Sequence, residues 1–287
     1  MKTILLATNL REQTTAVFDW ARLFAHQYSS SFLLLHVQQT PINVMSQSSD
    51  SDPVDLNTSM DVVVEAAYPA KLRQLATQFG REGIGCRVLL RQGNATEVIL
   101  ATAQQQAVDL ILMGHDPLAS IYQQLLTGSV ALSIARRSRC PVLIAPTDDL
   151  EMVSGRVYPR TIVYTTSLAF DQPKPFIQVV EMAHRFESRL RLLHIQTDNQ
   201  SNKTSADKRI AHFQQLMGDN PVEVDRVNAP TVVSGIDWYL STNPADLLVM
   251  TTHERDFISG LLNPSLTGRM ISRSTIPILV YHLKADS

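Results

Sequence analysis

Short unbroken apolar runs alternate along the chain with longer stretches in which apolar residues return every three or four positions. The runs at 4–7, 32–37, 87–90, 110–113 and 142–145 have the length of strands buried on both faces. Between the first two, Ala21, Phe24, Ala25 and Tyr28 fall at i, i+3, i+4 and i+7, the apolar stripe of a helix lying on a sheet. Leu72, Leu75 and Phe79 repeat that spacing ahead of Gly80, which reads as the helix stop. Strand and helix in alternation imply right-handed crossovers and a parallel sheet covered on both faces.

The pattern then starts again. Residues 2–10 line up with 160–168, and Leu34-Leu35-His36-Val37 lines up with Leu192-Leu193-His194-Ile195 at the same offset. The helix stripe returns as Val179, Met182, Ala183 and Phe186, and the second one as Ile210, Phe213 and Met217 before Gly218. Val108-Asp109-Leu110 matches Ala245-Asp246-Leu247, and 137–144 matches 273–280. Repeats in one order over the whole length mean duplication of one unit. The reading is an α/β fold of two tandem doubly wound domains, 1–147 and 158–287, joined by the acidic, turn-prone stretch 147–155 that follows Pro146. The copies differ in length mainly at two polar loops, 46–53 and 198–205.

Composition narrows the classes of partner. Of 287 residues 44% are apolar and 18% charged, and the net charge of -2 argues against a nucleic-acid surface, which must neutralise phosphates. The opening MKTILLATNL has one Lys and a short apolar run that yields to Thr8, Asn9 and Arg11, which reads as a strand rather than a signal segment. No run approaches the roughly 18 apolar residues of a membrane span. Cys86 and Cys140 stand far apart without metal-ligand spacing. A cytoplasmic protein is the expectation, with neither membrane nor nucleic-acid partner.

In open parallel sheets a ligand sits beyond the carboxyl ends of the strands where strand order reverses. In copy one those positions hold Thr8 and Asn9 after the first strand, then Gly114, His115, Asp116 and Pro117 after the fourth. Gly128-Ser129 follows and opens a new apolar stretch at Val130. A glycine leaving a strand and a Gly-Ser pair at a helix start suit an anion, because bare backbone N–H groups and the helix dipole attract it. The same residues also serve as an ordinary strand-end turn and a small residue where helix meets sheet.

The stretch from Met113-Gly114 through Thr127-Gly128-Ser129-Val130-Ala131 to Arg139-Cys140-Pro141-Val142 resembles the C-terminal signature of the universal stress protein family. The opening Leu5-Leu6-Ala7-Thr8-Asn9 and Leu35-His36-Val37 resemble its first two strands, and the likeness spans both copies. The resemblance implies a five-stranded parallel sheet of order 3-2-1-4-5 in each copy. It also implies pairing of the fifth strands, 142–145 against 278–281, into an internal pseudo-dimer that could pair again as a homodimer. Many members bind ATP or AMP through Gly-x-x-Gly, nine residues and Gly-Ser/Thr, with an Asp after the first strand. Carried over, the contacts in copy one would be Thr8, Asn9, Val37, Gly114, His115, Gly128, Ser129 and Val130.

Departures from that pattern divide the copies. In copy one Pro117 stands for the second glycine, the spacer to Gly128 is one residue longer, and Asn9 stands for the Asp. Copy two has Thr251, Glu254 and Pro264 at the three glycine positions and Ser167 for the Asp, keeping only Ser265. A carboxylate at a phosphate position and a proline without an N–H both oppose binding, so no nucleotide is expected there.

Histidines bring a second chemistry. His36 and His194 are repeat-equivalent and inside strands, which favours satisfied core or strand-end histidines over ligands, while His115 and His253 end the fourth strands and could meet a phosphate or exchange a proton. Gly-x-Ser-x-Gly, Gly-Lys-Ser/Thr and His-Glu-x-x-His are all missing from the sequence. Arg136, Arg137, Arg139 and Arg273 lie near helix ends, where cations offset the dipole or form an anionic-partner site. Three functions follow: a stress-associated regulatory module sensing ATP or AMP through copy one, a nucleotide-independent scaffold, and, as the weakest, a slow ATP hydrolase.

Overall fold

The computed structural model describes residues 1–10, 15–38, 56–115, 130–146, 158–166, 174–197, 223–253 and 266–283. The first half contributes strands β1 (Thr3–Ala7), β2 (Ser31–Gln38), β3 (Cys86–Gln92), β4 (Leu110–His115) and β5 (Val142–Pro146). The second contributes β6 (Thr161–Thr165), β7 (Arg189–Gln196), β8 (Glu223–Asn228), β9 (Leu247–His253) and β10 (Ile278–Leu283). All ten form one sheet in the order β3-β2-β1-β4-β5-β10-β9-β6-β7-β8. Each half is parallel in the order 3-2-1-4-5, and the halves meet antiparallel, with Val142, Leu143 and Ile144 opposite Val280, Leu279 and Ile278.

Because successive side chains point to opposite faces, each buried run feeds two cores. Ile4, Leu6, Leu34, Leu112, Leu143, Val249 and Leu279 belong to one cluster; Leu5, Leu33, Leu35, Ile111, Ile144, Leu248 and Val280 belong to the other. Helices α1 (Thr15–Tyr28), α2 (Leu56–Arg81) and α5 (Lys174–Arg185) cover the first face. Helices α3 (Ala95–Gln105), α4 (Val130–Arg137), α6 (Val232–Thr242) and α7 (Leu266–Arg273) cover the second. The helix stripes read from sequence are buried: Ala21, Phe24 and Ala25 in α1, and Val179, Met182, Ala183 and Phe186 at α5. Full burial of each large side chain supplies about 1.5–3 kcal/mol relative to exposure.

Three tethers recur at repeat-equivalent positions. Asp109 Oδ2 accepts the Lys2 and Thr3 amides at 2.6 and 2.9 Å, and Asp246 Oδ2 accepts those of Arg160 and Thr161 at 2.8 Å each. Ser30 Oγ donates to the Met1 carbonyl, and Ser188 Oγ to that of Pro159. Ser138 Oγ and Ser274 Oγ each donate 2.7 Å to the carbonyl two residues on, closing the turn into the fifth strand. These residues hold the amino ends of the strands, the edge opposite the carboxyl-end crevice in which folds of this kind bind nucleotides.

Two sequence expectations need correction. Helix α2 does not stop at Gly80 but continues to Arg81, and the left-handed residue after it is Gly83, with φ of 79°. Gly114 and His115 do not follow the fourth strand; they are its last two residues, paired with Ala145 and Pro146 of β5. Ladder partners on the neighbouring strand keep the backbone extended past the apolar run. The second-copy stripe Ile210, Phe213, Met217 and Gly218 lies outside the described residues, as does 147–157.

Candidate functional site

The crevice at the carboxyl ends of β1 and β4 is built by the way the chain leaves β1. The Thr8 amide donates to the Leu35 carbonyl at 3.0 Å, extending the ladder by one residue. Its hydroxyl then accepts the Leu10 amide at 3.0 Å, which turns the chain sharply, and Leu10 adopts φ of 58°. The Thr8 carbonyl accepts Nδ1–H of His36 at 2.8 Å, and the Leu10 carbonyl accepts Lys71 Nζ from α2 at 3.3 Å. His36 lies against the Tyr68 ring with centroids 4.5 Å apart. Thr8 and His36 are buried, while Asn9 between these anchors is exposed.

Across the crevice, Ala7 of β1 sits opposite Met113 of β4, so Gly114 and His115 stand beside the turn that carries Thr8 and Asn9. His115 is buried at the strand end. Val130 is the first residue of α4, which packs on the second face of the sheet. Val37 lies one strand away on β2 and packs against the second-face core. The fold thus brings Thr8, Asn9, Gly114 and His115 together and sets Val37 at their flank. Gly128, Ser129, Asp116 and Pro117 fall outside the described residues.

For an adenine nucleotide the described part has suitable donors. The Asn9 amide both donates and accepts, and Gly114 presents backbone without a side chain. Neither carries a formal charge.

The second half repeats the scaffold and changes the crevice. The Thr166 amide donates to the Leu193 carbonyl at 3.0 Å, and His194 Nδ1–H donates to the Thr166 carbonyl at 3.0 Å. Both strand histidines therefore tie down the chain leaving the first strand of their half. Thr251 stands where the first half has Gly114, and Tyr164 stands where the first half has Leu6. Burial pushes the Tyr164 phenol up to about 12, the Thr251 side chain opposing in part. Ser167, Glu254, Pro264 and Ser265 lie outside the described residues, and β9 ends at His253.

Sequence patterns did not reveal the roles of Tyr68 and Lys71, which reach the turn from α2 by tertiary packing. The roles of Asp109 and Asp246 had a signal, since both survive duplication. The two thiols are free; burial holds Cys86 up at about 11 and raises Cys140. Among the described residues no group of three or more His, Cys, Asp and Glu could hold a metal ion.

The model of the universal stress protein family matches residues 1–146. The chain belongs to the universal stress protein family. No curated protein sequence matches it. A universal stress protein from Archaeoglobus fulgidus DSM 4304 is similar over 99% of this chain and 97% of its own, at 20% identity and a TM-score of 0.75. A putative universal stress protein from Pseudomonas aeruginosa UCBPP-PA14 covers 98% of this chain and 93% of its own, at 16% identity and a TM-score of 0.70. A functionally unknown protein from P. aeruginosa PAO1 covers 98% and 92%, at 16% identity and 0.71. Likeness at these identities carries the fold of the tandem arrangement, which this universal stress protein shares across both halves. Among the described residues no helix is long and apolar enough to cross a membrane.

Proposed function

We propose that this chain is a regulatory universal stress protein of the cytoplasm whose first unit, 1–147, binds ATP or AMP at the β1/β4 crevice through Thr8, Asn9, Val37, Gly114, His115, Gly128, Ser129 and Val130. The second unit, 158–287, binds no nucleotide and serves as the partner surface through β5 and β10. The observation that carries this reading is the internal contrast at one position. Gly114 leaves bare backbone at the crevice, whereas Thr251 carries a side chain at the equivalent place in the second half.

Mass spectrometry of small molecules released from the purified protein, with calorimetric titration of ATP and AMP, tests it. One site per chain is the expected result. No bound nucleotide and no heat up to millimolar ligand would leave the second reading, a scaffold whose two pockets are both degenerate. Pro117 is the residue that favours that alternative, since it removes one N–H from the cradle.

A further inference from the structure

At the opposite end of β4 from Gly114, a cleft of about 520 Å³ opens between α3, the end of α4 and the turn into β5. That volume falls within the range of roughly 300–1,000 Å³ typical of small-molecule sites. Its floor is apolar: Ala103 and Val108 are buried, Leu100 lies beside them, and Cys140 closes the base. Two arginines stand at the rim. Arg137 is committed, with its guanidinium bonded to both Glu97 carboxylate oxygens at 2.5 and 3.0 Å. Arg139 is exposed, and among the described residues its guanidinium makes no hydrogen bond or ion pair. The charged side chains of the cleft are one carboxylate and two guanidiniums, so it carries one cation in excess.

The duplication supplies an internal control. Asn94 caps α3 and Thr231 caps α6, which places Trp238 at the position of Ala101 on the cleft rim. The repeated turn Ser138/Ser274 then places Thr275 and Ile276 where the first half has Arg139 and Cys140. The turn hydrogen bonds are the same in both halves, so the fold does not require Arg139 or a small residue at 101. Trp238 is 58% exposed, so a tryptophan at this position is accommodated on the surface.

We propose that this cleft in the first half is a binding site for a small amphipathic anion, with the apolar part on Leu100, Ala103 and Val108 and the acid group on Arg139. A carboxylate or sulfonate on a planar apolar body matches both elements, since guanidinium pairs with such an acid in a two-point fork.

The test uses the full chain and 8-anilinonaphthalene-1-sulfonate, read by fluorescence, with saturating ATP added to separate this site from the β1/β4 crevice. One saturable site is expected, unaffected by ATP. Arg139→Thr and Ala101→Trp, which copy the second half, should each weaken it at least tenfold, and Arg139→Lys should stay within about threefold. Circular dichroism matching wild type establishes that the variants are folded. No saturable binding up to millimolar probe overturns the proposal, as does unchanged affinity in folded Arg139→Thr and Ala101→Trp.

Discussion

The Nε2 of His282 in β10 lies 2.6 Å from the carbonyl oxygen of Ala135 in the last turn of α4, a hydrogen bond that crosses between the two halves. It satisfies one of the carbonyls that a helix end leaves without an intrahelical donor. The repeat-equivalent of His282 is Pro146, which has no side-chain donor, so the duplication does not generate a reciprocal bond. Replacing His282 with Ala removes this tie and is expected to cost about 1–2 kcal/mol. Thermal unfolding at pH 7 checks it; an unchanged midpoint would show that water replaces the bond at no cost.

Gly235 in α6 has no room for a side chain. An added Cβ would sit 2.6 Å from Ile195 Cγ2 and 2.9 Å from its Cδ1. Alanine is the better helix former by about 1 kcal/mol, yet Ile195 is buried in the second-face core and is held there by its neighbours. Gly235→Ala is therefore expected to destabilise by about 1–3 kcal/mol despite its propensity. Chemical denaturation measures this, and the double variant with Ile195→Ala should lose less than the two single losses combined.

The seam on the second face is a knob in a notch. A Cβ on Gly268 of α7 would lie 3.1 and 3.3 Å from the two δ carbons of Leu132 in α4. The repeat-equivalent of Gly268 is Leu132 itself, so each half presents a different shape to the other. Gly268→Leu is expected to destabilise by about 1–3 kcal/mol, and adding Leu132→Ala should recover part of it. A double-mutant cycle on unfolding midpoints gives the coupling, and additive effects would mean that the two residues do not meet.

Alkaline pH should weaken the fold. Burial raises the Tyr28 and Tyr164 phenols from 10.0 to about 12, and raises Tyr281 further. Above pH 10 the unfolded chain releases phenolic protons that the folded chain keeps, so stability falls as pH rises through that window. Below pH 10 the contribution is complete. Unfolding free energy measured at pH 9 and pH 11 should drop, and Tyr281→Phe should flatten the slope.

Nucleotide binding, if it resides in the first half, should follow the repeat. Gly114→Thr, which copies Thr251, and Gly128→Asp are each expected to abolish ATP heat in calorimetry, while Ser265→Ala leaves it unchanged. Loss of binding in Ser265→Ala alone would move the site to the second half.

Much of the architecture was legible because burial leaves a periodic trace. Val108-Asp109-Leu110 and its counterpart Ala245-Asp246-Leu247 announced the duplication, and the stripe from Ala21 to Tyr28 announced a helix against a sheet. The end of α2 was misplaced because Gly80 is tolerated inside a helix, whereas the turn needs the positive φ that Gly83 adopts. At the crevice, Thr8, Asn9 and Gly114 could be named from their place at strand ends. Lys71 and Tyr68 could not, since they are distant in sequence and arrive there only because α2 packs over β2.

By itself the sequence determined the fold class, the repeat and the loss of glycines in the second copy, because strand and helix periods, strand-end turns and backbone freedom are local properties of residue types. Tertiary structure alone decided that Lys71 and Tyr68 reach the turn after β1 from α2, and that His282 reaches across to Ala135. Those facts depend on which side chains meet across long separations, and pairing of that kind follows from packing the whole chain rather than from any window within it.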